Sequence, residues 1–411
     1  MKSPDSTRGQ GLGKRWPNWC SCVAAGLMLA LAIVACGGGG SVASVGSGGT
    51  GTVSASTFSV GTITGFGSVF VNGVRFDDSG ASVSDEDGAR SRTDLKLGMV
   101  VKVQGSVDAS GTSTASSFNF DSELLGPVSA VGTASKTLTI IGQKILIDDS
   151  TVFDSSLPQG FASVQAGQVL EVHGFLNAAT NELQASLVEL KSNPDRFKIS
   201  GNVGNLQSAS KTFQIGPETI SYAGLNATDI APVLANGALV KVRLSPTVPR
   251  SNGPWTAALL RNNNSGNVGN SDKAEVEGLV TSITSPTLFT VSGVKVDASR
   301  ASFGNGSAGL VVGARAQVKG ALANGVLLAS EVKLQPTQSG GKEIELNGSI
   351  ANLNSSAKTF VLRGVTVSYA SGVRYDNGSE SNLANSKAVE VKGQTTPSSS
   401  TVNATRIKFD N

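Results

Sequence analysis

The chain of 411 residues holds one histidine, His173, and three cysteines, Cys20, Cys22 and Cys36, a short inventory for nucleophilic or metal chemistry. A Ser–His or Cys–His nucleophile pair would have to use His173. That residue lies in the alternating run Leu170-Glu171-Val172-His173-Gly174, where related segments carry Gln104, Lys319 and Lys392. An outward, solvated or merely structural place is expected for it, and no zinc set can be assembled from His and Cys. The densest carboxylates are Asp85-Glu86-Asp87-Gly88, shortly after Asp77 and Asp78. Hard oxygens beside a Gly turn suit Ca²⁺, but the spacing matches no EF-hand and lacks its closing Glu. A solvated variable loop is expected there, with a weak calcium site as the alternative. Gly304-Asn305-Gly306-Ser307-Ala308-Gly309 has the form G-x-G-x-x-G, yet it leads into Leu310-Val311-Val312-Gly313 and a further strand. Without a helix N-terminus behind it, the stretch reads as a loop. No catalytic, cofactor-binding or metal-ligating residue is expected, and no cofactor.

The one cysteine in a suggestive setting is Cys36. Arg8, Lys14 and Arg15 form a basic leader, residues 20–35 carry no charge, and the run Val23-Ala24-Ala25-Gly26-Leu27-Met28-Leu29-Ala30-Leu31 is too short for a comfortable permanent span. It ends in Ile33-Val34-Ala35-Cys36, which resembles the lipobox of bacterial lipoproteins, where small side chains admit a peptidase and the thiol accepts a diacylglycerol. Lipidation of Cys36 follows from that resemblance, and Gly37 in place of Asp implies sorting to the outer membrane. Removing residues 1–35 would take away a net +3, leaving the mature chain neutral from its formal +3, and it would take Cys20 and Cys22 as well. No disulfide would then be possible, so packing and ladders must supply the stability. Residues 37–56 are Gly, Ser, Val, Thr and Ala without a charge, a flexible tether of about 25 Å root-mean-square span.

Beyond the tether the chain repeats itself. Each copy opens on Gly-x-Val/Ile, at Gly61, Gly126, Gly201, Gly278 and Gly348, spaced 65, 75, 77 and 70 residues apart. A polar turn and an alternating strand follow, as in Ser135-Lys136-Thr137-Leu138, Ser210-Lys211-Thr212-Phe213 and Ala357-Lys358-Thr359-Phe360. A third strand at 74–77, 145–148, 220–222, 294–297 and 365–369 completes a hairpin grammar. After a variable loop comes a fourth strand, such as Val101-Lys102-Val103-Gln104-Gly105 or Val389-Glu390-Val391-Lys392-Gly393, closing on Gly in every copy except the third, which has Leu244. A fifth strand lies around Ala115, Ala185, Ala257, Ala329 and Ala404. Segments 191–196, 262–273 and 335–342 are polar and read as linkers.

Five strands in about 60 residues, with the long connection between the third and fourth, are what a small Greek-key barrel of the OB kind requires, because closure removes the edges of short strands. The fold class expected is all-β: a tandem array of about five small five-stranded OB-like barrels. Packed short sheets or a shared-ladder solenoid are the alternatives. The lipobox with its Gly run, the opening Gly61-Thr62-Ile63-Thr64-Gly65-Phe66-Gly67-Ser68-Val69-Phe70-Val71-Asn72-Gly73-Val74, the unit Leu97-Gly98-Met99-Val100-Val101-Lys102-Val103 and the entry Gly126-Pro127-Val128 together resemble the bacterial lipoproteins built from tandem copies of domain of unknown function 5666. The first two copies match that pattern best and the third departs most. The resemblance implies no activity.

The expected organisation is a signal peptide over 1–35, the lipidated Cys36 and tether over 36–56, and β modules over 57–122, 123–192, 196–262, 274–335 and 343–411. Neutral charge and an aromatic content of only 5% exclude a basic stacking groove, so nucleic acid is not an expected partner. Lipid-facing strands of roughly ten residues with aromatic girdles are missing too, which excludes a transmembrane barrel. The expected protein is non-catalytic, held to the outer membrane by its N-terminal lipid, periplasmic or surface facing, and bound to an envelope protein or polysaccharide. The alternative is a periplasmic enzyme or calcium-binding protein with its site in one module.

Overall fold

A computed structural model describes residues 54–249, 253–263, 269–304, 306–335 and 341–410. Cys36, the leader and nearly all of the tether lie outside the described residues.

The described chain is all-β, and one pairing scheme recurs. In the first copy the strands are Ala55–Phe66, Val69–Val71, Val74–Asp77, Val100–Val107 and Ser113–Phe120. First, second and third pair antiparallel in succession, the third pairs in parallel with the fifth, the fifth antiparallel with the fourth, and the fourth returns to the first. The second copy repeats the circuit with Leu124–Gly132, Thr137–Ile140, Gln143–Leu146, Val169–Asn177 and Glu182–Leu190. So does the third, with Phe197–Asn202 continued by Gly204–Gln207, then Thr212–Ile215, Glu218–Ser221, Leu239–Leu244 and Trp255–Asn262. In the fourth the strands are Ser271–Ser285, Leu288–Val291, Val294–Asp297, Arg315–Ala323 and Val326–Gln335. In the fifth they are Glu343–Ser349 continued by Ala351–Asn354, Thr359–Leu362, Val365–Ser368, Ala388–Thr396 and Ser399–Phe409.

The repeated sequence features have local causes. The Lys of the Lys-Thr step takes a left-handed turn conformation, φ 49° at Lys136, 52° at Lys211 and 54° at Lys358. That turn aims the next alternating residue inward, so Leu138, Phe213 and Phe360 are fully buried. The Gly that closes the fourth strand sits where that strand bulges against the fifth, at Gln104/Gly105, His173/Gly174, Lys319/Gly320 and Lys392/Gly393. A Cβ at Gly105 would stand 2.1 Å from the Thr114 carbonyl oxygen, and one at Gly320 2.1 Å from that of Leu328. The bulge brings the partner backbone closer than any side chain permits. In the third copy the same shift falls at Arg243/Leu244, where Leu244 is accommodated and buried.

The first strands join copies along their second edge, with residues already paired within their own copy. Residues 57–60 pair in parallel with 273–276, residues 65 and 66 with 345 and 346, and residues 198 and 199 antiparallel with 125 and 124. The buried apolar residues form three clusters: one spans the second and third copies, one the first and fifth with Val152 and Leu187 of the second, and one the fourth with Phe58 and Val60 of the first. Interiors that close copy by copy were expected; instead ladders and apolar packing cross the joints. The physical reason is that Phe58 and Val60 lie on a strand already paired on one side with 102 and 104, and bury their side chains only against the fourth copy.

Gly320→Ala is expected to lower the urea midpoint of unfolding by an amount equivalent to about 1–3 kcal/mol, the usual cost of overpacking. An unchanged midpoint would show that the bulge does not impose the close approach.

Candidate functional site

The deepest concentration of ionisable groups lies where the first three copies meet, around a cleft of about 450 Å³. Three local structures build it. The variable loop of the first copy folds into a hairpin, Ser82–Asp85 with Gly88–Arg90, whose turn is the acidic run. The fourth and fifth strands of the second copy present Glu171, His173 and Glu189 on their outer face. The segment 191–198 then leads into the third copy with Lys191, Arg196 and Lys198.

The acidic turn lies at the surface, as expected for a variable loop, with Asp87 and Gly88 exposed, but its carboxylates are paired and not free in solvent. Asp85 pairs with Arg90 at 2.6 Å, Asp87 with Arg196 at 2.8 Å and with Arg243, and Glu86 with Lys198 at 2.6 Å. Arg261 donates to the Glu86 carbonyl oxygen at 3.0 Å. The hairpin is a clamp from the first copy onto the third. Behind it Asp121, at the end of the fifth strand of the first copy, holds Lys198 at 2.8 Å and Lys241 at 2.6 Å. Burial pushes the Asp121 carboxyl up, but the two ammonium groups outweigh it and hold it at about 2.

His173 also differs from expectation. It points away from the interior of its own copy, as the alternation requires, but the joint covers it and leaves 1% exposed. Its Nδ1 lies 3.1 Å from the Asp121 carbonyl oxygen, which only accepts, so Nδ1 carries the proton. Nε2 then faces Glu189 Oε2 at 3.7 Å, and both atoms are buried without a hydrogen-bond partner among the described residues. Lys191 Nζ stands 2.7 Å from Glu171 Oε2 and 3.5 Å from Glu189 Oε2, and Ser122 donates to Glu171 Oε1 at 2.7 Å. Lys96 bridges Glu189 and Asp154, the latter at 3.1 Å. Burial pushes the Glu189 carboxyl up, while His173, Lys191 and Lys96 together hold it down at about 2. Glu171, His173 and Glu189 offer ligand atoms within 4.8 Å of one another, the one such group of three or more among the described residues.

A second buried charge group joins the first, second and fourth copies around a cavity of about 160 Å³. Arg315 pairs with Glu277 at 2.6 Å and lies 5.2 Å from the centre of the Phe175 ring. Lys342, from the segment read as a linker, reaches to 3.8 Å from Glu277 and to the Thr62 hydroxyl. Burial drives the Lys342 ammonium down to about 8, against the pull of Glu277. Among the described residues, 306–314 form turns without a helix, in keeping with a loop.

Sequence reasoning gave His173 a solvated or merely structural place and the acidic run a solvated loop, and did not foresee that both lie at joints between copies. The missed signal lies in the comparison of copies. At the places of Glu171, His173 and Glu189 the first copy has Lys102, Gln104 and Asn119, the fourth Gln317, Lys319 and Lys333, and the fifth Glu390, Lys392 and Lys408. The second copy alone places two carboxylates directly opposite each other on neighbouring strands, an arrangement that needs a cation.

Residues 126–189, 277–333 and 347–408 match the model of a family described as Domain of unknown function (DUF5666). These are the second, fourth and fifth copies; the first, expected to match best, lies outside the matched segments, and its variable loop is the one that carries the clamping hairpin. No curated protein matches the chain.

Two outcomes follow from the charge geometry. Glu189 and Asp121 titrate lower in the folded chain than their ordinary 4.5 and 3.8, so their stabilisation is complete above those values and is lost as pH falls toward about 2. Glu189 alone contributes on the order of 3 kcal/mol, and thermal midpoints measured from about pH 6 down to 2.5 should fall steeply below about 4.5, less so in Glu189→Gln; a flat profile contradicts the assignment. Lys198→Met should cost about 1.5–3 kcal/mol, the loss of charge-assisted hydrogen bonds from Asp121 and Glu86 that keep Lys241 and Arg243 as their other partners, measured by denaturant unfolding, and a loss under about 1 kcal/mol would show the pairs to be solvated.

Proposed function

We propose, from the premise that the chain carries tandem DUF5666 domains, that it is an acylated envelope protein, held through Cys36 in the outer membrane and facing the periplasm or the surface. Five small barrels of the OB kind form its body, which is non-catalytic and acts by binding another envelope macromolecule, a protein or a polysaccharide. The observation that supports this reading is the use of charge at the joints. Lys198 and Lys241 meet Asp121, and Asp87 meets Arg196 and Arg243, so groups from different copies neutralise one another. Charges arranged in this way lock copies in place and present a fixed array of loops. The barrel reading draws support from the recurring circuit, in which the third strand runs parallel to the fifth and the fourth returns to the first.

Mass analysis of the mature protein should find an N-terminal residue 36 carrying acyl chains, and Cys36→Ala should release the chain from the membrane fraction or leave it unprocessed. A leader still attached to a bare Cys36 would defeat the anchoring claim. Turnover of a generic ester, glycoside or peptide substrate by the purified chain would defeat the non-catalytic one.

A further inference from the structure

We propose that Glu171, His173 and Glu189 form a binding site for one divalent transition-metal ion of the zinc kind, with Lys191 as the cation it displaces. This goes beyond the anchoring and binding reading above and stands whether or not that reading holds.

The case begins with the imidazole. Its Nδ1 is committed to the Asp121 carbonyl oxygen at 3.1 Å, so Nε2 is the ring nitrogen left to take a metal ion. Nε2 lies 3.7 Å from a carboxylate oxygen, Glu189 Oε2. A buried imidazole nitrogen and a carboxylate oxygen this close call for a cation between them, a proton or a metal ion. His173 and Glu189 side chains are each 2% exposed, so bulk water does not fill that role, and both atoms are without a hydrogen bond among the described residues. A backbone carbonyl on the far ring nitrogen is the usual support of a metal-bound imidazole, because it fixes the tautomer and the ring plane.

The donor set suits zinc. One imidazole and two carboxylates are common zinc ligands at about 2.0–2.2 Å, which puts bound donors about 3–3.5 Å apart. The present 3.7 Å between Nε2 and Oε2 is a few tenths of an ångström from that, and all three donors already lie within 4.8 Å. Glu171 has its own support, since Ser122 donates to its other oxygen at 2.7 Å. The cleft gives an entry path along Glu171 and Lys191.

Lys191 occupies the cation position now. Its ammonium touches both carboxylates, at 2.7 and 3.5 Å, and its side chain is 35% exposed, free to swing outward along the cleft. A metal ion would replace one positive charge by two and would engage the imidazole lone pair, which an ammonium 2.7 Å from Glu171 leaves unused.

The chain's single histidine makes the test specific. The full chain, purified in detergent with ¹⁵N-labelled histidine and freed of metal by a chelator, is titrated with Zn²⁺ near neutral pH. The expected result is a shift of the Nε2 resonance complete at one equivalent, reversed by chelator. His173→Gln, which installs the residue found at the same place in the first copy, should weaken zinc binding by more than about 100-fold, beyond what loss of a supporting contact costs. Lys191→Met should tighten it. An imidazole unmoved by Zn²⁺, full zinc affinity in His173→Gln, or weaker binding in Lys191→Met would each overturn the proposal. A ring protonated on both nitrogens and indifferent to zinc would overturn it too, assigning the bridging cation as a proton.

Discussion

Short strands need closure, and the rest of this structure depends on how that need is met. The second and third strands of each copy run only three or four residues, too few for an open sheet to persist in water. Pairing the third strand in parallel with the fifth, and the fourth back onto the first, leaves neither hairpin with a free edge. The fifth strand can reach both partners only if the fourth strand bends sharply over it. The bulge supplies that bend, and in four copies a glycine makes room for the approaching carbonyl. The repeated closing Gly is thus a consequence of ring closure, not of turn chemistry.

Closure leaves a second problem, since each copy is small and its outer face is half covered at best. The chain meets it by letting copies cover one another. Apolar side chains such as Phe58 and Val60 turn outward from the first copy into the fourth, and charged ones turn outward into joints where opposite charges wait. Buried ion pairs of this sort are weak evidence for net stability, because desolvation cancels much of their attraction. Their stronger effect is on arrangement: a displaced third copy would strand Asp121 and Glu86 of the first, whose cationic partners Lys198, Lys241 and Arg243 all lie in the third.

Much of the local structure was legible because period and turn chemistry are local properties. The Lys-Thr step, the hairpin after it and the alternating fourth strand all appear where residue type and spacing place them. Alternation also places His173 on the outer face of its own copy. It could not tell what lies beyond, since whether an outward face is wet depends on another copy more than a hundred residues away, or on a loop such as 82–90 in a different copy. The partners of the acidic run were hidden for the same reason: Asp87 sits in an exposed turn, and only the fold brings Arg196 and Arg243 to it.

The order of copies along the chain is not their order in space, and this changes what a tandem array can do here. The first copy pairs its strands with the fourth and fifth, while the second pairs with the third. Independent beads on linkers would bind by avidity, each module engaging a ligand at an effective concentration set by linker length. Copies joined through shared ladders and apolar clusters lack that freedom, so any recognition rests on fixed spacing between loops of different copies. The joints are then the places where a ligand can act on the whole body. The charge cleft between the first three copies is the most consequential of them, because Glu171, His173 and Glu189 there face Lys96 of the first copy and the segment entering the third. A cation bound at that point would join two strands of the second copy right beside its contacts with the first and third.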